Sequence, residues 1–370
     1  VFFWYQNQSV AHYPTAEARQ LFSSPFVEYV VLNLKVLSHG SERLSNLVQW
    51  TSYAASIAAV SLVARQLGAT RRGQQAAALA AATVPMSALQ ASTTQNDLTC
   101  ALWCLVAVYA MLSALSDQPS RQPFLIARGA WIGAALALAV ASKPTAYLFC
   151  LPFVAWFAIT SVRRLQAQRA ATLAATALLV FAVLGVGWYA RTAQTLDGDF
   201  LATSAPSNAH ILVRDTSLEA LTTNALKNSS MQLGTPFPSL NRYTADIVRA
   251  AVRVYGGDIE NPRTKESPDQ TFELDPRVIN HDVAPAPLTG ALLLIAGAIL
   301  YRSRKTIGGP VVAYSAAALT AWLFITASIT WNHYINRVTL GALMLALPLV
   351  GVAAASVGRT GGRFLRPLLA

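Results

Sequence analysis

The chain has 370 residues, of which 54% are hydrophobic and only 12% charged, a balance too apolar for a water-soluble domain. The net charge of +11 does not argue for nucleic-acid binding, because the basic residues follow the loops between apolar stretches rather than forming one patch. No Walker-type or GxGxxG loop is present, which excludes a nucleotide-driven engine within the chain.

Residues 1–45 read as an outer-face segment. Within it, "SPFVEYVVLNLKVL" has the pattern of an amphipathic helix lying along a membrane interface. Phe2, Phe3, Trp4, Tyr5 and Tyr13 suit an aromatic belt. Nine apolar stretches then follow at 46–66, 74–91, 97–116, 128–142, 145–162, 170–190, 286–303, 309–328 and 335–357. Each is judged against the roughly 20 residues that a spanning helix needs, and those at 128–142 and 145–162 fall short. The expected architecture is an all-α polytopic membrane protein with about nine transmembrane helices. Six lie in 46–190 and three in 286–357, followed by a cytoplasmic tail at 358–370.

The stretch 191–285 is the one long polar excursion, an extracytoplasmic loop or small subdomain with a helix expected at 243–255. Its "GGDIENPRTKESPDQ" portion has too few apolar residues to bury and is expected to be mobile or ordered only by partners. No internal repeat is visible. Cys100, Cys104 and Cys150 fall inside apolar stretches without disulfide or metal spacing.

Charge sets the orientation. Of the 28 lysines and arginines, fourteen lie in one alternate set of loops together with a single acid, Asp117, while the other set holds sixteen acids. By the positive-inside rule the first set is cytoplasmic. The polar and aromatic material of 1–45, 91–97, 191–285 and 328–337 then gathers on the outer face. The first visible span must run from outside to inside, and the sequence begins at Val1 without methionine or signal peptide. It therefore reads as lacking at least one upstream span.

Candidate functional residues are ionisable or polar groups at the outer boundary, where such groups are costly. "ASTTQNDLTCALW" opens the third span with Asn96 and Asp97, and these equally suit a helix cap. Lys143, in the short turn "ASKPTA", suits a lipid phosphate or a snorkelling interfacial lysine. "WNHYINR" opens the last span, and if helical would put His333 and Arg337 on one face to grip a phosphate; an aromatic belt with an anchoring arginine is the alternative. His12, Tyr13, Glu28 and Arg43 complete the set, Glu28 as a base, a sugar contact or a solvated carboxylate. His210 and His281 read as ordinary surface histidines.

With those motifs in order, the chain resembles membrane glycosyltransferases of the GT-C superfamily, in the bacterial branch near protein O-mannosyltransferases and the lipid A aminoarabinose transferase. The likeness runs over most of 1–200 and again over 286–357. It implies transfer of a sugar from a polyprenyl-phosphate donor to a glycan, lipid or protein acceptor on the outer face of a bacterial inner membrane, with no nucleic-acid partner. It also implies that the acidic base of the first outer loop lies upstream of "FFWYQNQSVAHYPT". Asp97 matches the second acidic position of such enzymes, Lys143 a lysine of a similar short turn, and Arg43 the arginine opening the span after the interfacial helix. Relatives often have a basic residue beside the interfacial prolines, whereas "SSPFVEY" offers only Ser23, Ser24 and Glu28.

In this reading an acceptor hydroxyl loses its proton to a carboxylate. Lys143, Arg337 or Arg43 stabilises the departing lipid phosphate, and one displacement inverts the anomeric centre. Asp97 orients the acceptor or base, or contributes to a site for a divalent cation, the only cofactor considered. The competing readings are a lipid-linked oligosaccharide ligase or polymerase and a transporter or flippase, the latter requiring ionisable residues deep within spans.

Overall fold

The computed structural model describes all residues except 16–18, 117–121, 196–210, 275–278 and 366–370, and over the described residues it is built from α-helices, with β pairing confined to two isolated bridges. The N-terminal segment forms α1 (Phe2–Gln6), α2 (Arg19–Phe22) and α3 (Phe26–Leu37). α3 is the expected amphipathic helix. Its Val27 and Val31 are buried, together with Val48 at the head of the next helix, while Val36 and Leu37 are exposed.

The bundle follows as α4 (Leu47–Gln66), α5 (Arg71–Ala82), α6 (Pro85–Gln90), α7 (Asp97–Ser116), α8 (Gln122–Ser142), α9 (Ala146–Arg164), α10 (Ala167–Gly185) and α11 (Gly187–Thr195). The long loop contains α12 (Leu218–Ser230) and α13 (Pro238–Val254). The chain then returns through α14 (Pro287–Arg302), α15 (Gly309–Ser328), α16 (Ile335–Val338), α17 (Leu340–Ala346) and α18 (Pro348–Leu365).

Among the described residues, seven stretches are helical, long and apolar enough to cross a membrane: α4, α7, α8, α9, α10, α15 and residues 340–357. Of the nine expected stretches, 74–91 and 286–303 do not meet that measure. The stretch 74–91 is split because Val84 precedes Pro85 and takes an extended backbone, as the proline ring disfavours a helical residue before it. The stretch 286–303 forms a helix of 16 residues, which falls short in length. The two spans that looked short are full length, since α8 starts at Gln122 and α9 runs to Arg164. The stretch 170–190 bends at Val186 and continues as α11, and the expected tail is helical as far as Leu365.

Between membrane helices, lipid is as apolar as leucine, so association depends on close packing. Gly129 and Gly133 supply this for α8 and α10. A Cβ on Gly133 would lie 2.2 Å from the Ala177 carbonyl oxygen, and one on Gly129 2.7 Å from that of Leu173. α7 packs against α4, α8 and α17, giving the bundle its centre. Only 6% of the α10 span is buried, so apart from the side packed on α8 that helix faces outward.

The loop 211–285 is ordered over its described residues, contrary to the expectation for "GGDIENPRTKESPDQ". Polar bonds organise it where apolar burial is scarce. Glu260 accepts from the Phe272 N–H and from Lys265 Nζ, each at 3.1 Å, and Lys265 also reaches the Gln270 carbonyl. The buried Lys227 ammonium donates to Thr264 Oγ1 at 2.7 Å and to the Ile259 carbonyl, with the Trp331 ring 5.9 Å away. The segment is also sewn to the bundle. Val213 N–H donates to the Ser328 carbonyl, Thr330 N–H to Ile211 and Trp331 N–H to Thr264. The amides of Asn224 and Asn228 each reach the free carbonyls of Thr326 and Ile329 at the end of α15. Such groups have no partner within a helix and must be satisfied from outside. α13 begins at Pro238, five residues ahead of the expected helix at 243.

Candidate functional site

The first turn of α7 carries Asp97, which is only 4% exposed. A carboxylate this deep requires charge partners. It has two. Lys143, in the turn after α8, donates from Nζ to Asp97 Oδ1, and Arg337 of α16 brings Nε to 3.6 Å from Asp97 Oδ2. Arg337 in turn pairs through Nη1 with Asp282, at the end of the long loop. Three parts of the chain that are distant in sequence thus meet at one end of the bundle.

Asp97 stands in the first turn of α7, where a negative charge complements the helix dipole, and a backbone N–H of that turn is bonded from outside the helix. Gln49 of α4 supplies that bond, its Oε1 accepting from the Leu98 N–H at 3.2 Å while its amide donates to Thr99. Ser52 also bonds Thr99, at 2.9 Å. Asp97 is left to face the cations.

Glu28 of α3 stands beside this group. Burial holds its carboxyl above the ordinary glutamate range, and the neighbouring Asn96 amide and Lys143 charge oppose the shift without cancelling it. Its Oε2 is buried and unpartnered. Glu28, Asn96, Asp97, Lys143 and Arg337, all singled out in the sequence, therefore form one constellation.

Next to it opens a cleft of about 510 Å³ lined by Ser92, Thr93, Thr94, Gln95, Asn280 and His281, among others. These hydroxyls and amides answer why so apolar a chain holds "ASTTQND" between two helices: the segment forms the wall of a polar cleft. Gln90 clamps the opposite wall through its amide to the His281 carbonyl at 2.5 Å.

Residues 23–188 match the model of the family described as dolichyl-phosphate-mannose-protein mannosyltransferase. The match takes in Glu28, Arg43, Asn96, Asp97 and Lys143. The match spans less than half of the chain, and over it the chain is similar to this family. Among solved structures, the crystal structure of ArnT from Cupriavidus metallidurans bound to undecaprenyl phosphate is similar at 16% identity and a TM-score of 0.43, over 94% of this chain and 70% of that one. No curated protein matches the chain.

Among the remaining residues expected at the site, Tyr13 feels the charge of Glu28, while His12, Arg43 and His333 contact other groups. His12 bonds Thr195 at 3.0 Å through Nδ1 and packs edge-on against Trp188, and burial together with Arg191 lowers its pKa. Tyr13 stacks on Phe3 and bonds Gln20 at 3.0 Å. Arg43 is exposed on the turn before α4, where its backbone N–H donates to Ser41 Oγ at 3.4 Å. His333 is not paired with Arg337 in a helical register, because α16 starts at Ile335; a turn in which Asn332 Oδ1 accepts from the Tyr334 N–H precedes it. Its ring packs on Trp331, 5.1 Å away.

Two site residues were not singled out from the sequence. Asp282 was hidden in a long loop where one more acid carries no signal, although it lies shortly before α14 as Asp97 lies at the head of α7. His281, read as an ordinary surface residue, contributes its carbonyl to Gln90, and its Nε2 lies 3.5 Å from Asp282 Oδ2. His210 falls outside the described residues. Among the described residues no cluster of three or more His, Cys, Asp or Glu side chains suits a metal ion. With both Asp97 oxygens turned to cations, its surroundings do not fit a divalent-cation site.

Proposed function

We propose that the chain moves a sugar from a polyprenyl-phosphate donor to an acceptor hydroxyl at the extracytoplasmic membrane boundary, inverting the anomeric centre. The observation that carries this reading is the buried carboxylate Asp97 held between Lys143 and Arg337 beside the unpartnered Glu28 oxygen. A lipid-linked donor presents a phosphate at the bilayer surface, and the two cations stand where the departing phosphate gains charge. Preorganised charges of this kind stabilise a transition state better in a dry site than in water.

In this scheme Asp97 is a positioning residue that fixes both cations. Glu28 takes the proton of the acceptor hydroxyl as that oxygen bonds to the anomeric carbon. The bond from the anomeric carbon to the phosphate oxygen breaks, and the electron pair leaves with the lipid phosphate. The hydroxyls and amides of the adjoining cleft suit the sugar or the acceptor. The sense of the basic loops supports placing the site outside, because the residues at 92, 143 and 337 lie at the end of the bundle opposite Arg65, Arg163 and Arg302.

The test is a transfer assay. Reconstituted protein is offered polyprenyl-phosphate sugars and the release of free polyprenyl phosphate is measured. Release that depends on Glu28 and Asp97 supports the reading. Impermeant labelling of positions 92, 240 and 333 from the cytosolic side would overturn the orientation.

A further inference from the structure

The helix α13 presents three different faces. Asn241, Ala245 and Val252 are buried with the rest of the loop, and Arg242, Asp246 and Arg253 are exposed along one flank. The third face holds Leu240, Tyr243, Ile247 and Val254, which are 46%, 65%, 52% and 88% exposed. Ala250 and Ala251 lie among them. At 3.6 residues per turn these six positions occupy an arc of about 100°, and the arc contains no charged residue. Single exposed apolar side chains are ordinary, but a contiguous stripe calls for a covering phase.

Two observations identify that phase. The first is continuity. The 3-10 turn Met231–Leu233 leads into α13 and packs on α14, where Gly290 lies against the Leu233 side chain. Leu233 is itself exposed, as are Leu288, Leu292 and Ile295 of the apolar helix α14. The outward apolar surface therefore runs from the bundle, over Leu233 and Phe237, onto the stripe. The second is charge. Asp246 is taken up by Arg249 at 3.0 Å, so the flank beside the stripe is left with the cations Arg242 and Arg253. An apolar face edged by arginines matches a phospholipid surface, with acyl chains below and phosphates beside them.

We propose that α13 lies in the plane of the bilayer surface, with Leu240, Tyr243, Ile247 and Val254 at the boundary of acyl chains and headgroups and Arg242 and Arg253 at lipid phosphates. The long loop is then fastened in two ways, to α15 by Asn224 and Asn228 and to the lipid by α13. This surface is independent of the transfer reaction and would persist if the chain proved to have a different activity.

The experiment uses the whole chain in vesicles of brominated phosphatidylcholine. Single cysteines at Tyr243, Ile247 and Ala250 on the stripe, and at Arg242 and Asp246 on the flank, are labelled with a small fluorophore. The unsubstituted chain serves as the blank, since Cys100, Cys104 and Cys150 are buried. Lipid bromine should quench the three stripe positions several-fold more than the two flank positions, and aqueous iodide should show the reverse order. The Ala250→Cys variant guards against misfolding because it replaces no large side chain. Iodide quenching of all five positions alike would overturn the proposal by placing the helix in water. Protection of the stripe from both quenchers would overturn it in favour of a protein partner or a second copy.

Discussion

Arg337 and Asp97, from the last and third of the expected spans, face each other with Nε 3.6 Å from Oδ2. Lys143 pairs with the other oxygen of the carboxylate and Arg337 is held on its far side by Asp282, so Asp97 is the group that draws the two cations together. Replacing Asp97 by Asn keeps the shape and removes the charge. Transfer should fall at least about 100-fold, the usual effect of losing a preorganised electrostatic group. The melting temperature in detergent should also fall, since Lys143 and Arg337 lose their shared counter-charge. Full transferase activity in Asp97→Asn would eliminate the positioning role.

Glu28 makes a prediction whose sign can be worked out. Its carboxyl is raised in the fold by burial, so the folded chain holds the proton more tightly than the unfolded one. Stability is then fullest below the ordinary carboxylate range and declines as pH rises through the raised value. Glu28→Gln should abolish that decline, measured as thermal unfolding across an acidic pH series. Transfer should run the opposite way in the unsubstituted chain, rising with pH over the same limb as the base ionises, and Glu28→Gln should be inactive throughout.

Asp282 occupies the Arg337 guanidinium that a lipid phosphate would otherwise meet. Asp282→Asn should therefore tighten binding of polyprenyl phosphate by about tenfold, equivalent to about 1.4 kcal/mol. Titration calorimetry at low salt gives the comparison. Unchanged or weaker binding would show that the carboxylate helps the site and does not compete for it.

Lys227 is pushed down to about 8 by burial, with Glu260 pulling it back toward its usual value. Between about 8 and the ordinary lysine value near 10.4, the unfolded chain binds a proton that the folded chain lacks. Stability should rise with pH across that window and be flat just below it. Lys227→Met should flatten the rise, as read from denaturation midpoints between the two limits.

The parts of the site legible in the sequence were those where chemistry conflicts with surroundings. Asp97, Lys143, Glu28 and Arg337 are ionisable groups at the edge of apolar stretches, a placement that is costly without a reason. Asp282 offered no such conflict, because a polar loop hides an acid. The pairing of His333 with Arg337 failed on a boundary: one turn formed by Asn332 delays the helix to Ile335, and a shift of that size turns a side chain to another face. The loop was misjudged for a different reason. Its order comes from Lys227, Glu260 and Lys265 bonding to backbone groups far along the chain, and hydropathy registers none of that. The split at Pro85 was visible in the dipeptide Val84-Pro85 but was outweighed by the apolar run around it.

The two asparagines of α12 that finish α15 have a practical consequence for anyone building chimeras. Exchanging residues 211–285 for another sequence would strip five amide-to-carbonyl hydrogen bonds from the end of α15. A graft that folds must carry matching amides or bring the final turn of α15 along with it, so the exchangeable unit extends beyond the loop into the bundle.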